Sequence, residues 1–193
     1  MAKKVPKERI NSWIAASRLL LVEETEKVTT GAKIIMIGSA NAGKIFLSIS
    51  LKHRRALSSL FQRINGLTPT RGLLRSKIEV FGMDVHLHEL GGQNIYREDY
   101  LENPQQYFVG TDTIIYVIDI QAKDRFQESF EYLKQIINVA NNLKIKVPWK
   151  IFFHKSDPEY EIDEKSAEVF NSIIEYMTDK CPFFNPAKDF FRT

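Results

Sequence analysis

A single cysteine, Cys181, stands among 193 residues, so the chain cannot close an intramolecular disulfide. A lone thiol fits a reducing compartment, the cytosol being the natural one, and its simplest reading is a buried, inert side chain. No stretch is rich in serine, glycine and proline, which excludes a long flexible linker or disordered tail. No apolar run approaches the ~20 residues of a membrane-spanning helix. The apolar N-terminal stretch that follows Lys3, Lys4, Lys7 and Arg9 is interrupted by Asn11, Ser12, Ser17 and Arg18, which spoils a signal peptide as well. Ala2 occupies the position at which N-myristoylation requires glycine. Charge of one sign is not in excess: 27 basic residues against 24 acidic ones leave a formal +3, far from the footprint of a dedicated nucleic-acid binder. There is no internal repeat.

What is present is the composition of an ordinary globular protein, 44% hydrophobic and 26% charged, at a length suited to one α/β domain. Residues 1–30 read as an N-terminal extension and 31–193 as the domain. In the extension, Ile10, Trp13, Ile14, Ser17, Leu20 and Leu21 recur at helical spacing and Glu23, Glu24 and Glu26 follow, which predicts an amphipathic helix over about 8–27. That helix suits packing on its own domain or a partner best, and its basic start also suits a membrane surface.

From Lys33 the period changes. Ile34–Ile37 is a continuous apolar run ending in Gly38, as a strand buried on both faces of a parallel sheet requires. Further strands are predicted over Lys77–Phe81, Asp84–Leu90, Thr113–Ile118 and Lys150–Phe153. After Lys44 the pattern is helical through Phe46, Ile49, His53, Leu57, Leu60, Phe61 and Ile64, with Asn65-Gly66 as the stop. Helices are also predicted over about 122–142 and 163–179. Strands alternating with helices imply right-handed crossovers, a mostly parallel sheet, and ligands at the carboxyl ends of the strands.

Four loops at those ends carry chemistry. Gly38-Ser39-Ala40-Asn41-Ala42-Gly43-Lys44 lies between a buried strand and a helix that opens with Ile45 and Phe46. Such a loop turns backbone N–H groups toward phosphates, adds the positive end of the helix dipole, and supplies Lys44 as a point charge. Ile45 departs from the motif, because a Ser or Thr hydroxyl there would ligate Mg²⁺ and isoleucine has no oxygen to give. Glu89-Leu90-Gly91-Gly92-Gln93 places a carboxylate, a backbone amide and a carboxamide within one turn, the parts needed to hold a metal, sense a γ-phosphate and orient an attacking water. Leu67-Thr68-Pro69-Thr70-Arg71-Gly72 suits a segment that closes on a γ-phosphate, with Thr70 as the contacting and metal-binding residue. In His154-Lys155-Ser156-Asp157, the Asp157 carboxylate can accept from a guanine N1–H and N2–H₂ edge while the Lys155 stem covers the base. A helix cap by Asp157 before Pro158 is the plainer alternative.

In this order the four loops resemble those of the Ras-like P-loop GTPases. Glu89–Gln93 is similar to the Gly-Gly-Gln switch of the Rag/Gtr and Arf-like branches, His154–Asp157 resembles the His-Lys-x-Asp variant of Rag proteins, and Thr68–Gly72 resembles the first switch of Arf-like proteins. Asp189–Thr193 resembles the strand that leads into the Rag base-contacting motif. The resemblance is closest to the Rag/Gtr family with Arf-like features, and it covers roughly residues 33–193. It implies a six-stranded, mostly parallel sheet flanked by helices, GTP/GDP and Mg²⁺ as ligands, and an effector or regulator as partner, which can be a related GTPase or a roadblock-type protein. The family's last loop and helix are absent from the sequence. With Ile45 and Glu89 in place, two readings stand: a slowly hydrolysing switch using Gln93 and Thr70, and a pseudo-GTPase scaffold.

Other features are given no catalytic role. His86 and His88 share one side of a strand without a third ligand, Lys52-His53-Arg54-Arg55 suits a solvated helix end, and Arg71 beside Thr70 is not taken as an arginine finger.

Overall fold

The computed structural model describes residues 31–52, 68–80, 82–157 and 162–193. The amphipathic helix expected over 8–27 and the continuation of the first domain helix from His53 to Ile64 lie outside the described residues.

Where the sequence is continuously apolar, strands are covered on both faces. Ile35–Ile37 in β1 (Ala32–Gly38) and Ile114–Ile118 in β4 (Thr113–Asp119) are fully buried, and so is the whole of β5 (Trp149–His154). With β2 (Leu73–Val80), β3 (Met83–Leu90) and β6 (Phe190–Arg192) they form one six-stranded sheet in the order β2-β3-β1-β4-β5-β6. Only the β2–β3 pairing is antiparallel.

Alternate side chains go to opposite faces, so each buried strand feeds two layers. On one face Ile35, Tyr116, Ile118, Ile151 and Phe153 pack under α4 (Phe126–Asn142) and α5 (Glu164–Lys180), through Leu133, Ile136, Ile137, Phe170 and Ile173. On the other, Met36, Ile115, Val117 and Phe152 meet Leu47 and Leu51 of α1 (Lys44–Lys52). The parallel pairing brings Gly38, Leu90, Asp119 and His154 to the same edge, which fixes where the loops can meet.

Several elements differ from the sequence expectation. β2 begins at Leu73 rather than Lys77, because its ladder with β3 runs up to the Leu73–Leu90 pair; Arg75 and Ser76 hide its first half from an apolar-run criterion. The helix expected from 122 opens as a 3₁₀ turn, Lys123–Arg125, and becomes α-helical at Phe126. α2 (Asn94–Glu102) and α3 (Pro104–Phe108) were not expected at all. They bury only Arg97, Tyr100 and Phe108, too sparse a set to draw an apolar stripe.

The C-terminal strand is anchored by a buried ion pair. Lys150 Nζ lies 2.7 Å from Asp189 Oδ1 at the end of α6 (Pro186–Asp189), and Asp189 Oδ2 accepts the Asn185 N–H at 2.7 Å. Asp189→Ala leaves the Lys150 ammonium buried without this carboxylate, and the expected loss is ~3 kcal/mol of stability. In urea unfolding the midpoint falls while the m-value holds.

Candidate nucleotide site

The phosphate loop is shaped by close backbone approaches. A Cβ at Gly38 (φ +153°) would sit 2.2 Å from the Val117 carbonyl oxygen, and one at Gly43 (φ +90°) would sit 2.2 Å from the His154 ring. Asn41 takes a left-handed φ of +63° between them. Ser39 and Ala42 are buried and Ala40 is half-buried beside them. Helix α1 starts at Lys44, so its unpaired N-terminal amides belong to the loop.

Lys44 is buried, and its ammonium donates to the Gly38 and Ser39 carbonyl oxygens at 2.9 and 2.8 Å. Burial pushes its pKa down to about 8; Glu89 opposes that shift, while Arg97 and Arg125 add to it. The next residue, Ile45, is half-buried and offers carbon only.

Thr70, Glu89, Gly91 and Gly92 are brought together above this loop. The Thr70 hydroxyl donates to Glu89 Oε1. Glu89 is 1% exposed, and among the described residues its Oε2 meets no donor within hydrogen-bond geometry, Ser48 being the nearby hydroxyl. Burial raises its pKa against the opposing influence of Thr70 and Lys44. A Cβ at Gly91 would stand 2.6 Å from the Thr70 carbonyl oxygen, and one at Gly92 would stand 2.4 Å from the Ser39 carbonyl carbon. Thus the turn after β3 lies directly on the phosphate loop, where only glycine fits. Gln93 follows as the half-buried N-cap of α2, its side chain making no cap hydrogen bond. For a divalent cation, the oxygen donors here are the Thr70 hydroxyl and the Glu89 carboxylate. They fit such an ion with one donor fewer than a hydroxyl at position 45 would give.

Arg97, Glu128 and Arg125 join the site unannounced by any motif. Arg97 Nε donates to the Gly92 carbonyl at 2.8 Å, its Nη1 lies 2.7 Å from Glu128 Oε1, and its guanidinium lies over the Tyr132 ring. Arg125 Nε lies 3.3 Å from Glu128 Oε2, and Arg125 Nη1 donates to the Ala40 carbonyl at 3.1 Å. Against the cost of burial, the two guanidiniums hold the Glu128 carboxyl below its ordinary pKa. The chain Gly92–Arg97–Glu128–Arg125–Ala40 is therefore an unbroken polar path from the switch turn to the phosphate loop. Only the Arg125/Glu128 spacing was visible in the sequence, as a pair one helical turn apart.

The fourth loop sits beside the first. His154 is buried at the end of β5, its Nδ1 3.0 Å from Thr193 Oγ1, its ring against Gly43 and stacked with Phe46 at a centroid distance of 6.0 Å. Lys155 has φ +63°, and its Nζ lies 2.6 Å from Asp119 Oδ2. Asp157 accepts from the Gln121 carboxamide at 2.9 Å. The Ser156 N–H donates to the Thr193 carbonyl, and Arg192 donates to the Ser156 hydroxyl.

Of the residues without an assigned role, His86 and His88 lie on β3, Lys52 ends α1, Arg71 stays within the Thr68–Gly72 loop, and His53–Arg55 lie outside the described residues. His86 is exposed and His88 half-buried, its pKa pushed down to about 4 by burial, Lys33, Arg75 and His86. Among the described residues no group of three His, Cys, Asp or Glu surrounds them.

Arg97→Ala removes the donor to the Gly92 carbonyl and one of the two partners of Glu128, with an expected loss of ~2 kcal/mol in chemical denaturation. Arg97→Lys restores only part, since an ammonium cannot reproduce the planar fork.

Comparison with known proteins supplies the family. Residues 19–179 match the ADP-ribosylation factor family. ADP-ribosylation factor F of Dictyostelium discoideum is 30% identical over 149 residues, 77% of this chain and 71% of that protein. ADP-ribosylation factor-like protein 3 of Chlamydomonas reinhardtii is 31% identical over 139 residues, 72% of this chain and 71% of that protein. In fold, the chain superimposes with a TM-score of 0.63 on the Arl6 BBS3 small GTPase of Trypanosoma brucei, solved with the nucleotide analogue GppNp, at 18% identity and covering 85% and 87% of the two chains. The Arf-like part of the sequence resemblance is thereby established, and a particular closeness to Rag/Gtr proteins is not. A strand-to-helix phosphate loop, a Gly-Gly-Gln turn seated on it, and this match over most of the chain make the protein a small GTPase of the ADP-ribosylation factor family.

Proposed function

We propose that this nucleotide-binding switch takes GTP and GDP across the phosphate and base loops, hydrolyses GTP slowly, and presents Thr68–Gly72 and Gly91–Gln93 to a partner protein. The observation that carries the proposal is the seating of Gly92 on Ser39–Ala40 while Thr70 bonds Glu89 over the same loop. A γ-phosphate entering there would contact the phosphate loop and both switch segments at once, so its loss would be felt by each.

In this reading Gly38–Gly43 and Lys44 hold the phosphates, with Ile45 and Phe46 packed beneath them. Gly92 and Thr70 sense the γ-phosphate, and Gln93 orients the attacking water. Thr70 and Glu89 hold Mg²⁺ when it is bound; the ion neutralises phosphate charge, and the hydroxyl missing at Ile45 weakens its hold. His154, Lys155 and Asp157 receive guanine, a Rag-like form of the base loop in an Arf-family frame. An effector or regulator reads the switch surface, and a related GTPase or a roadblock-type protein remains within that class. Residues 1–30 form the extension and 31–193 the nucleotide-binding domain. No described helix is long and apolar enough to cross a membrane. A cytoplasmic location agrees with a Cys181 thiol that burial pushes up to about 12 and so makes inert, and the amphipathic pattern read in residues 8–27 would serve a peripheral membrane contact. No observation favours the scaffold reading over the switch.

Nucleotide released from the purified protein, with and without Mg²⁺ and chelator, tests the reading. Recovered GDP or GTP supports it, and an empty protein that ignores added GTP contradicts it. Ile45→Thr adds the missing hydroxyl, so Mg²⁺-dependent GTP binding should tighten by about tenfold, the worth of one charge-assisted ligand. Unchanged binding would sink the metal assignment.

Lys44 adds a pH signature. Its pKa of about 8 in the nucleotide-free fold rises again once phosphates neutralise it. Binding should therefore take up protons above that pH, and affinity should fall by up to about tenfold from pH 7 to pH 9. Lys44→Arg should bind with no such dependence. The linkage to stability runs oppositely: the nucleotide-free protein gains stability between pH 8 and 10.5, where the unfolded chain still holds the lysine proton and the fold has released it.

A further inference from the structure

Gln121 lies in the loop just after β4, exposed, and its side chain reaches across to the base loop. Its backbone N–H donates to Asp119 Oδ1 at 3.0 Å, which fixes the start of the side chain. Its carboxamide nitrogen then donates to the Lys155 carbonyl oxygen and to Asp157 Oδ2, both at 2.9 Å. A primary amide has two N–H donors, and both are committed to the segment proposed to read the base.

That segment needs holding. Lys155 adopts φ +63°, a left-handed conformation that a lysine keeps only where surrounding bonds enforce it. Two contacts do so from the end of β4: Asp119 Oδ2 on the Lys155 ammonium at 2.6 Å, and Gln121 on the Lys155 carbonyl. The second bond of the same amide restrains the Asp157 carboxylate two residues on. One side chain thereby couples the strained backbone to the acceptor group.

We infer that Gln121 is a positioning residue for guanine selectivity, orienting the Asp157 carboxylate toward the N1–H and N2–H₂ edge of the base. The inference rests on the guanine-binding reading above. A carboxylate oxygen has two lone pairs, so an amide donating to Oδ2 from one side leaves acceptor capacity for the purine. What the amide removes is rotation. A carboxylate turned out of the base plane can still accept one hydrogen bond but cannot accept both in parallel. The second bond, to the 2-amino group, is the one that separates guanine from hypoxanthine.

The test is the ratio of GDP to IDP affinity in the full chain, measured by competition against a fluorescent guanine nucleotide. Gln121→Glu keeps the size but puts an acceptor against two acceptors; Gln121→Ala removes the amide. Both should weaken GDP binding by about five- to tenfold, the range of one hydrogen bond to a charged group, and reduce the GDP/IDP ratio by a similar factor because IDP has less to lose. Gln121→Asn, one methylene short, should fall between these and the wild type. A merely structural role would weaken GDP and IDP equally, so an unchanged ratio overturns the inference, as does unchanged GDP affinity. Wild-type protein that does not prefer GDP over ADP overturns the guanine reading itself, a result distinct from any behaviour of the variants.

Discussion

Lys44 puts a positive charge where water scarcely reaches, and most of the site is arranged around that fact. Its ammonium is met by two carbonyl oxygens of its own loop and, at longer range, by the Glu89 carboxylate. Two further cations, Arg97 and Arg125, work against its charge. Three cations face two carboxylates here, Glu89 and Glu128, so the cluster keeps room for an anion, and the burial that penalises the ammonium also strengthens its attraction to that anion. The depressed lysine pKa and the affinity for phosphate are thus two expressions of one field.

The same constraint explains the glycines. Carbonyls at Gly38 and Ser39 can face the ammonium only if the loop presses against β4 and β5, and it does so with the Val117 carbonyl and the His154 ring too close to allow a Cβ. His154 belongs to the base loop, so phosphate and base halves of the site share a wall. Through its bond to Thr193 that wall is continuous with β6. A displacement of the phosphate loop must therefore move the base loop, or open a gap beside Gly43.

Much of this was legible in the sequence, for identifiable reasons. The central strands are apolar on both faces and announce themselves. Gly38, Gly43, Lys44, Glu89, Gly92 and Asp157 stand at strand ends in a recognisable order, and Thr70 was found because hydroxyls flank a proline. β2 was underestimated because an edge strand tolerates Arg75 and Ser76. α2 was missed because its buried residues are an arginine and a tyrosine rather than a row of leucines. Arg97, Arg125, Glu128 and Gln121 were missed for a different reason: apart from the Arg125/Glu128 pair one helical turn apart, their side-chain contacts reach partners between 5 and 85 positions away, and no helical or strand period encodes them.

The missed residues also divide the chemistry. On the side proposed to take the base, Asp119 and Gln121 from the end of β4 and Thr193 and Arg192 from the end of β6 grip Lys155, Ser156 and Asp157, so this loop is held from three strand ends. On the phosphate side, Arg97 and Arg125 grip backbone carbonyls of Gly92 and Ala40, so the switch turn is tied to the loop through a single carboxylate, Glu128. Binding draws on both sets and needs no oxygen at position 45. Hydrolysis asks more, because charge must be neutralised on the transferring phosphoryl group, and there Ile45 contributes nothing while Glu89 is partly engaged by Thr70. Under the proposed function, charge neutralisation is thus the step for which this chain supplies the fewest ligands.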